Sequence, residues 1–275
     1  RYMVGLLLLA CVYGLLNKNA IAQTSDEKAT PDWVAEIEKV FVRSEDCKQC
    51  HDRHYDEWKG VREQTPDLKT FGRVDAALLH GTSLDSPVFR TVLGLWGQTN
   101  PTVEERGRCL ACHVPSTAVF PQHVEKIMGQ ILAGKPQIEG IGCASCHLIH
   151  DVDRTINPPP TFRLKPGPVL YGPFADPEEN LVHQAAQSPL FREAAYCASC
   201  HFDKVKDVTQ KGLPGEILQG TVCQDCHMEP STGSSTSRRG AMTRAIGRHW
   251  FRGVVVSGTM LRNRNLQAEW TPRVD

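Results

Sequence analysis

The sequence predicts a mainly α-helical fold with extensive coil, and three observations carry that expectation. Five C-x-x-C-H motifs are strung along the 275 residues. No strong period-2 alternation marks out strands, whereas several apolar stripes recur at helical spacing. Residues 151–180 hold seven prolines, including Pro158-Pro159-Pro160, and are expected to run as an extended, polyproline-like wrap.

From the N-terminus, "RYMVGLLLLACVYGLLNKNAIA" has a single Arg before an apolar stretch, then Ala20-Ile21-Ala22 ahead of Gln23. Residues 1–22 thus read as a secretory signal. The apolar run, Tyr2 to Leu16, is shorter than the ~20 residues that span a bilayer. A retained membrane anchor is one alternative, and a lipoprotein box closing at Cys11 is another. Each reading puts residues 23–275, taken as one domain, outside the cytoplasm: periplasmic or extracellular, and at a membrane only if the segment is retained.

Thr30-Pro31 reads as N-cap and first helical position, with Trp33, Ile37 and Val40 on one face. Val124, Ile127, Met128, Ile131 and Leu132 form a stripe that stops before Gly134. Residues 178–197 look helical on either side of Pro189, and "STGSSTSRRG" (231–240) looks like a flexible loop.

The motifs are Cys47-Cys50-His51, Cys109-Cys112-His113, Cys143-Cys146-His147, Cys197-Cys200-His201 and Cys223-Cys226-His227. Two thiols at this spacing add to the two vinyl groups of one haem, and the adjacent imidazole faces the iron. Ten of the 11 cysteines are used in this way, leaving no pair for a disulfide framework. Zinc would need the motifs shared out in fours, and a His directly after a ligating Cys cannot easily bind the same ion. Five haem c groups are the reading. With roughly 50 residues for each, stacked macrocycles are expected to replace most of a side-chain core.

Charge is balanced, with 31 basic and 31 acidic side chains; residues 1–22 hold only Arg1 and Lys18. Haem propionates make the loaded protein acidic. That disfavours nucleic acid and favours a redox partner protein with a basic docking patch.

Six histidines lie outside the motifs: His54, His80, His123, His150, His183 and His249. All six are candidates for the second axial position on an iron. "HGTSLDSPVFR" (80–90) and "HQAAQSPLFR" (183–192) are two versions of one element: a His, a polar spacer, then Ser-Pro-apolar-Phe-Arg. Both are expected to deliver their His to an iron while the Phe packs on a porphyrin. His249 sits beside Trp250-Phe251 and can fold back as a ligand. His54 and His150 each follow a motif His by three residues, too close to reach round the same haem. An adjacent haem is within their reach. His123 is the least constrained. Met128, Met242 and Met260 have no comparable support, so bis-His iron at low potential is expected at most centres.

"CKQCHDRHYDEWKG", "CLACHV", "GIGCASCH", "CASCHFD" and "CQDCHMEP" together resemble the multihaem cytochrome c family of the cytochrome c-554 type, over about residues 44–251. The most specific parts are Trp58, seven residues after His51, and the Gly-x-Gly-Cys run of the third motif. The resemblance implies a helical, loop-rich periplasmic electron carrier with closely packed haems. Most would be bis-His ligated, with one five-coordinate iron in some members. The histidine such proteins carry shortly after the Trp is missing from "WKGVREQTPDL", and His80 is taken as its counterpart. A fifth motif stands where tetrahaem members have four.

Electron transfer through five haems is the leading expectation. One alternative is an oxidoreductase with a five-coordinate second haem, at His113, acting on a small nitrogen or sulfur species. Others are an anchored quinol-oxidising cytochrome and a filament or other oligomer in which one chain ligates the next. Arg163, Lys165, Arg238 and Arg239 can tune potentials near propionates or serve as solvated loop charges.

Overall fold

Residues at i, i+3 and i+4 share one face of an α-helix, so a helical C-x-x-C-H motif points both thiols and the imidazole the same way. All five motifs lie on helices. The computed structural model describes residues 30–59, 80–153, 162–201, 222–228 and 230–251. Residues 1–22, Pro158-Pro159-Pro160 and Met260 lie outside these. Those described from Trp33 onward belong to one unit.

The helices are α1 (Asp32–Glu38), α2 (Ser44–Lys59), α3 (Pro87–Thr99), α4 (Val103–His113), α5 (Val124–Leu132), α6 (Cys143–His147), α7 (residues 194–201) and α8 (Cys223–His227). Helices α4, α6 and α8 end on their motif histidine, and α2 leaves helical geometry at His51 (φ −117°, ψ 42°). The chain therefore turns away directly after each of these imidazoles.

Local chemistry fixes the boundaries. Ser86 caps α3, its hydroxyl accepting the Phe89 N–H at 3.3 Å, with Pro87 at the first helical position. Thr102 and Glu105 form a reciprocal capping box on α4. The expected stripe forms α5, and Gly134 (φ +69°) turns the chain beyond it. Helix α1 begins at Asp32, two residues after Thr30.

Leu93 of α3, Leu110 of α4 and Ile127 and Ile131 of α5 are fully buried together, with Val34 and Ile37 of α1 beside them. Each fully buried aliphatic side chain stabilises the fold by about 1.5–3 kcal/mol. The sequence reading underestimated this core. Packed helices supply it wherever their apolar stripes face one another.

Three small sheets correct the expectation of helix and coil alone. β1 (Ile149–Val152) pairs antiparallel with β2 (Phe162–Leu164), and β3 (Val169–Gly172) pairs parallel with β4 (Gln184–Gln187). β5 (Pro230–Ser234) pairs antiparallel with β6 (Thr243–Gly247). The expected wrap at 151–180 thus contains β2 and β3. Helix was expected at 184–187, where β4 lies. The expected loop at 231–240 begins as β5. These strands are short and their pairing partners distant, so local pattern does not reveal them. Among the described residues no helix is long and apolar enough to cross a membrane.

Candidate haem sites

The motifs form a connected set. The thiols of Cys47 and Cys143 lie close enough to shift one another's pKa, bringing the first motif beside the third. Cys200 and Cys112 join the fourth to the second, and Cys197 and Cys223 join the fourth to the fifth. In each pair the contact pushes the first-named thiol's pKa up and the second's down.

Second-sphere contacts aim the imidazoles. His51 Nδ1 donates to the Ser235 carbonyl and His147 Nδ1 to the Tyr171 carbonyl, both at 2.6 Å. A carbonyl can only accept, so the proton sits on Nδ1 and Nε2 is left free for metal. Burial lowers the pKa of His51, His113 and His147 and holds each imidazole neutral, the form that ligates.

Besides His54, which lies near His51 on the same helix, three of the remaining histidines come from distant parts of the chain to face motif histidines. His183 lies with its ring centroid 6.3 Å from that of His51, the planes 31° apart. His249 lies 6.5 Å from His147 at 17°, and His80 lies 5.9 Å from His201 at 78°. Iron–nitrogen bonds of ~2.0 Å place two imidazole centroids on opposite faces of one iron ~6 Å apart. Burial brings His80 down to about 4, with His201 and His113 adding to the shift. It brings His249 down to about 3, with His54 and His147 adding. Donor set, spacing and protonation state all fit haem c: the Cys pairs would hold it by thioethers and the facing histidines would bind its iron.

His113 has a further neighbour. The Phe89 ring stacks on it at 4.1 Å, 20° from parallel, and His201 and His80 are near enough to interact with it electrostatically. The Nδ1 atoms of His113 and His80 are buried without a hydrogen-bond partner among the described residues.

His54 lies 4.4 Å from His249 and 6.5 Å from His51, ring to ring. With Glu57, His54 and His249 bring three potential ligand atoms within 4.8 Å of one another. His150 is an exposed residue of β1 whose Nδ1 donates to the Arg163 carbonyl across the sheet at 2.9 Å. His123 is buried beside Trp33, and its Nε2 is 2.8 Å from Glu36. Among the tuning cations, Arg163 pairs with Asp151.

The Trp and Gly-x-Gly features have structural reasons. Trp58 is buried, its Nε1 donates to the Ile141 carbonyl at 2.9 Å, and a Cβ on Gly81 would come within 2.9 Å of its ring. A Cβ on Gly140 would lie 2.8 Å from the His113 carbonyl. Ser44, fully buried, accepts the Cys143 N–H and donates to Glu139.

The sequence reading missed Glu57, which has 4% relative exposure. It ion-pairs with Arg53 and Arg248 and accepts the His249 N–H at 2.7 Å. Its i,i+4 spacing from Arg53 was the available signal. Burial alone would push its carboxyl up, but these partners and His54 bring it down to about 2.

Residues 90–148, which run from α3 through α6 and include the second and third motifs, match a family described as cytochrome c554 and c-prime. For this stretch the match supports covalent haem and electron transfer of the c-type cytochrome kind. No curated protein and no solved structure matches the chain.

Proposed function

We propose that the chain is an exported electron-transfer protein carrying five haem c groups, one on each motif. One observation carries the reading: three histidines distant in sequence from the motifs they meet each face a motif histidine at 5.9–6.5 Å. His183, His249 and His80 would be the second ligands of the first, third and fourth haems. Each haem supplies an iron that takes up and passes on a single electron. The protein fixes ligand type, imidazole orientation and the adjacency of centres. No nucleophile or proton donor is required of it. Its partners are redox proteins, not nucleic acid.

Intact mass of the holoprotein tests the haem count, and EPR of the oxidised form tests ligation. Five haem additions and at least three low-spin bis-His centres are the expected result. Fewer haems, or high-spin iron at the first, third or fourth site, overturn it.

A second reading has its own observation. The ring stacked on His113 is that of Phe89, and with His80 serving the fourth haem the second would have an open face for a small nitrogen or sulfur species. Carbon monoxide binding by the reduced protein, lost when the second motif is removed, is the expected result. All-low-spin iron that ignores carbon monoxide excludes it.

A further inference from the structure

The repeated element, His80 to Arg90 and His183 to Arg192, reaches two different motifs with each copy. In the first copy, His80 faces His201 of the fourth motif, while Phe89 stacks on His113 of the second. In the second copy, His183 faces His51 of the first motif, while Phe191 stacks on His147 of the third, at 5.3 Å and 27°. The two pairs reached in this way, second with fourth and first with third, are also joined by thiol contacts.

The copies are built alike where this geometry requires it. Ser86 and Ser188 are both buried, and in each the following proline opens a helical turn that presents the Phe. That turn is the start of α3 in one copy and a four-residue 3-10 turn in the other. They diverge at the residue before the Phe, where Val88 is exposed and Leu190 is buried. Phe191 is further wedged by Tyr196, 4.7 Å away, whose hydroxyl donates to the Cys146 carbonyl.

We propose that each copy is a two-ended clamp on a pair of haems. Its histidine is an axial ligand of one member. Its phenylalanine is a positioning residue for the motif imidazole of the other, fixing that ring's rotation about the iron–nitrogen bond. The clamp rests on the reading of the motifs as haem sites. A flat ring stacked on an imidazole opposes rotation out of the stack, and imidazole orientation sets the g-anisotropy of low-spin ferric haem.

EPR of oxidised holoprotein tests this, with signals assigned from His183→Met and His249→Met, each of which alters only the centre it serves. Phe191→Leu is expected to shift the g-values of the His147/His249 centre and to leave the His51/His183 centre unchanged. Phe191→Tyr, which keeps the ring, is expected to retain the wild-type spectrum. Phe89→Leu is expected to change the His113 centre and not the His80/His201 centre. An unaltered spectrum in the Leu variants, a shift in the centre served by the same copy's histidine, or an altered spectrum for Tyr overturns the clamp. Wild-type holoprotein whose mass shows no haem on these motifs overturns the underlying reading, and the clamp with it.

Discussion

The carboxylate of Glu57 accepts the backbone N–H of His249 at 2.7 Å, although the two residues are 192 positions apart. Helix α2 is thereby fastened to the chain just after β6, with Arg53 and Arg248 completing a buried ion cluster. Glu57→Ala strands that N–H and takes the shared carboxylate from both guanidiniums, which keep Ser231 and the Trp250 ring among the partners around it. Breaking a buried pair from one side costs about 3–5 kcal/mol. Chemical denaturation of wild type and variant measures the loss, and weakened low-spin character at the His147/His249 centre is expected beside it. Equal stability would show that the cluster is solvated.

Gly81 lies where a methyl group would press on the Trp58 indole at 2.9 Å. Overpacking of this kind costs about 1–3 kcal/mol. Gly81→Ala is expected to destabilise the protein by that amount and to displace the neighbouring His80. Thermal melting together with the EPR signal of the His80/His201 centre checks it.

Leu110 is fully buried in the core cluster with residues of α3 and α5. Leu110→Ala is expected to cost about 2–5 kcal/mol by denaturant titration. A loss well under that range would mean that macrocycles, not side chains, carry the stability of this region.

Burial pushes the carboxyl of Glu139 above its ordinary value, against hydrogen bonds from Ser44 that pull it down. A carboxyl with a folded-state pKa above its unfolded one holds its proton more tightly when folded. Its contribution is therefore unfavourable above the folded pKa, and that penalty is relieved as pH falls through it. Wild type is expected to gain stability relative to Glu139→Gln as pH falls from neutral towards the usual carboxylate range. Parallel denaturation at neutral and mildly acidic pH reads the difference, and its opposite sign would refute the burial argument.

Much of this site is legible in the sequence, because its residues are tied together by short spacing. C-x-x-C-H needs only helical periodicity to gather its three groups, and the two His…Ser-Pro-x-Phe-Arg runs share their His, Ser-Pro, Phe and Arg across spacers that differ by one residue. The α5 stripe and its stop at Gly134 are equally local. What escapes is set by distant partners. "QAAQ" becomes β4 only because Val169–Gly172 lies alongside it. Ser231 and its neighbours become β5 by pairing with Thr243–Gly247. Glu57 reads as an ordinary surface acid until Arg248 and His249 come back to it. The spare histidines are visible as a pool, but their sorting depends on where the fold carries them, as His123 beside Glu36 and His150 on an exposed strand illustrate.

The thiol contacts bear on the order of assembly. Cys47 and Cys143 are far apart along the chain and meet only once α2 and α6 have docked, and the same holds for Cys112 with Cys200. A chain that folds first in an oxidising compartment brings together sulfurs that belong to different cofactors, where cross-linking them would disable two motifs at once. If the proposed haems are present, maturation is expected to attach each one while the chain is still open, with its cysteines kept reduced until then.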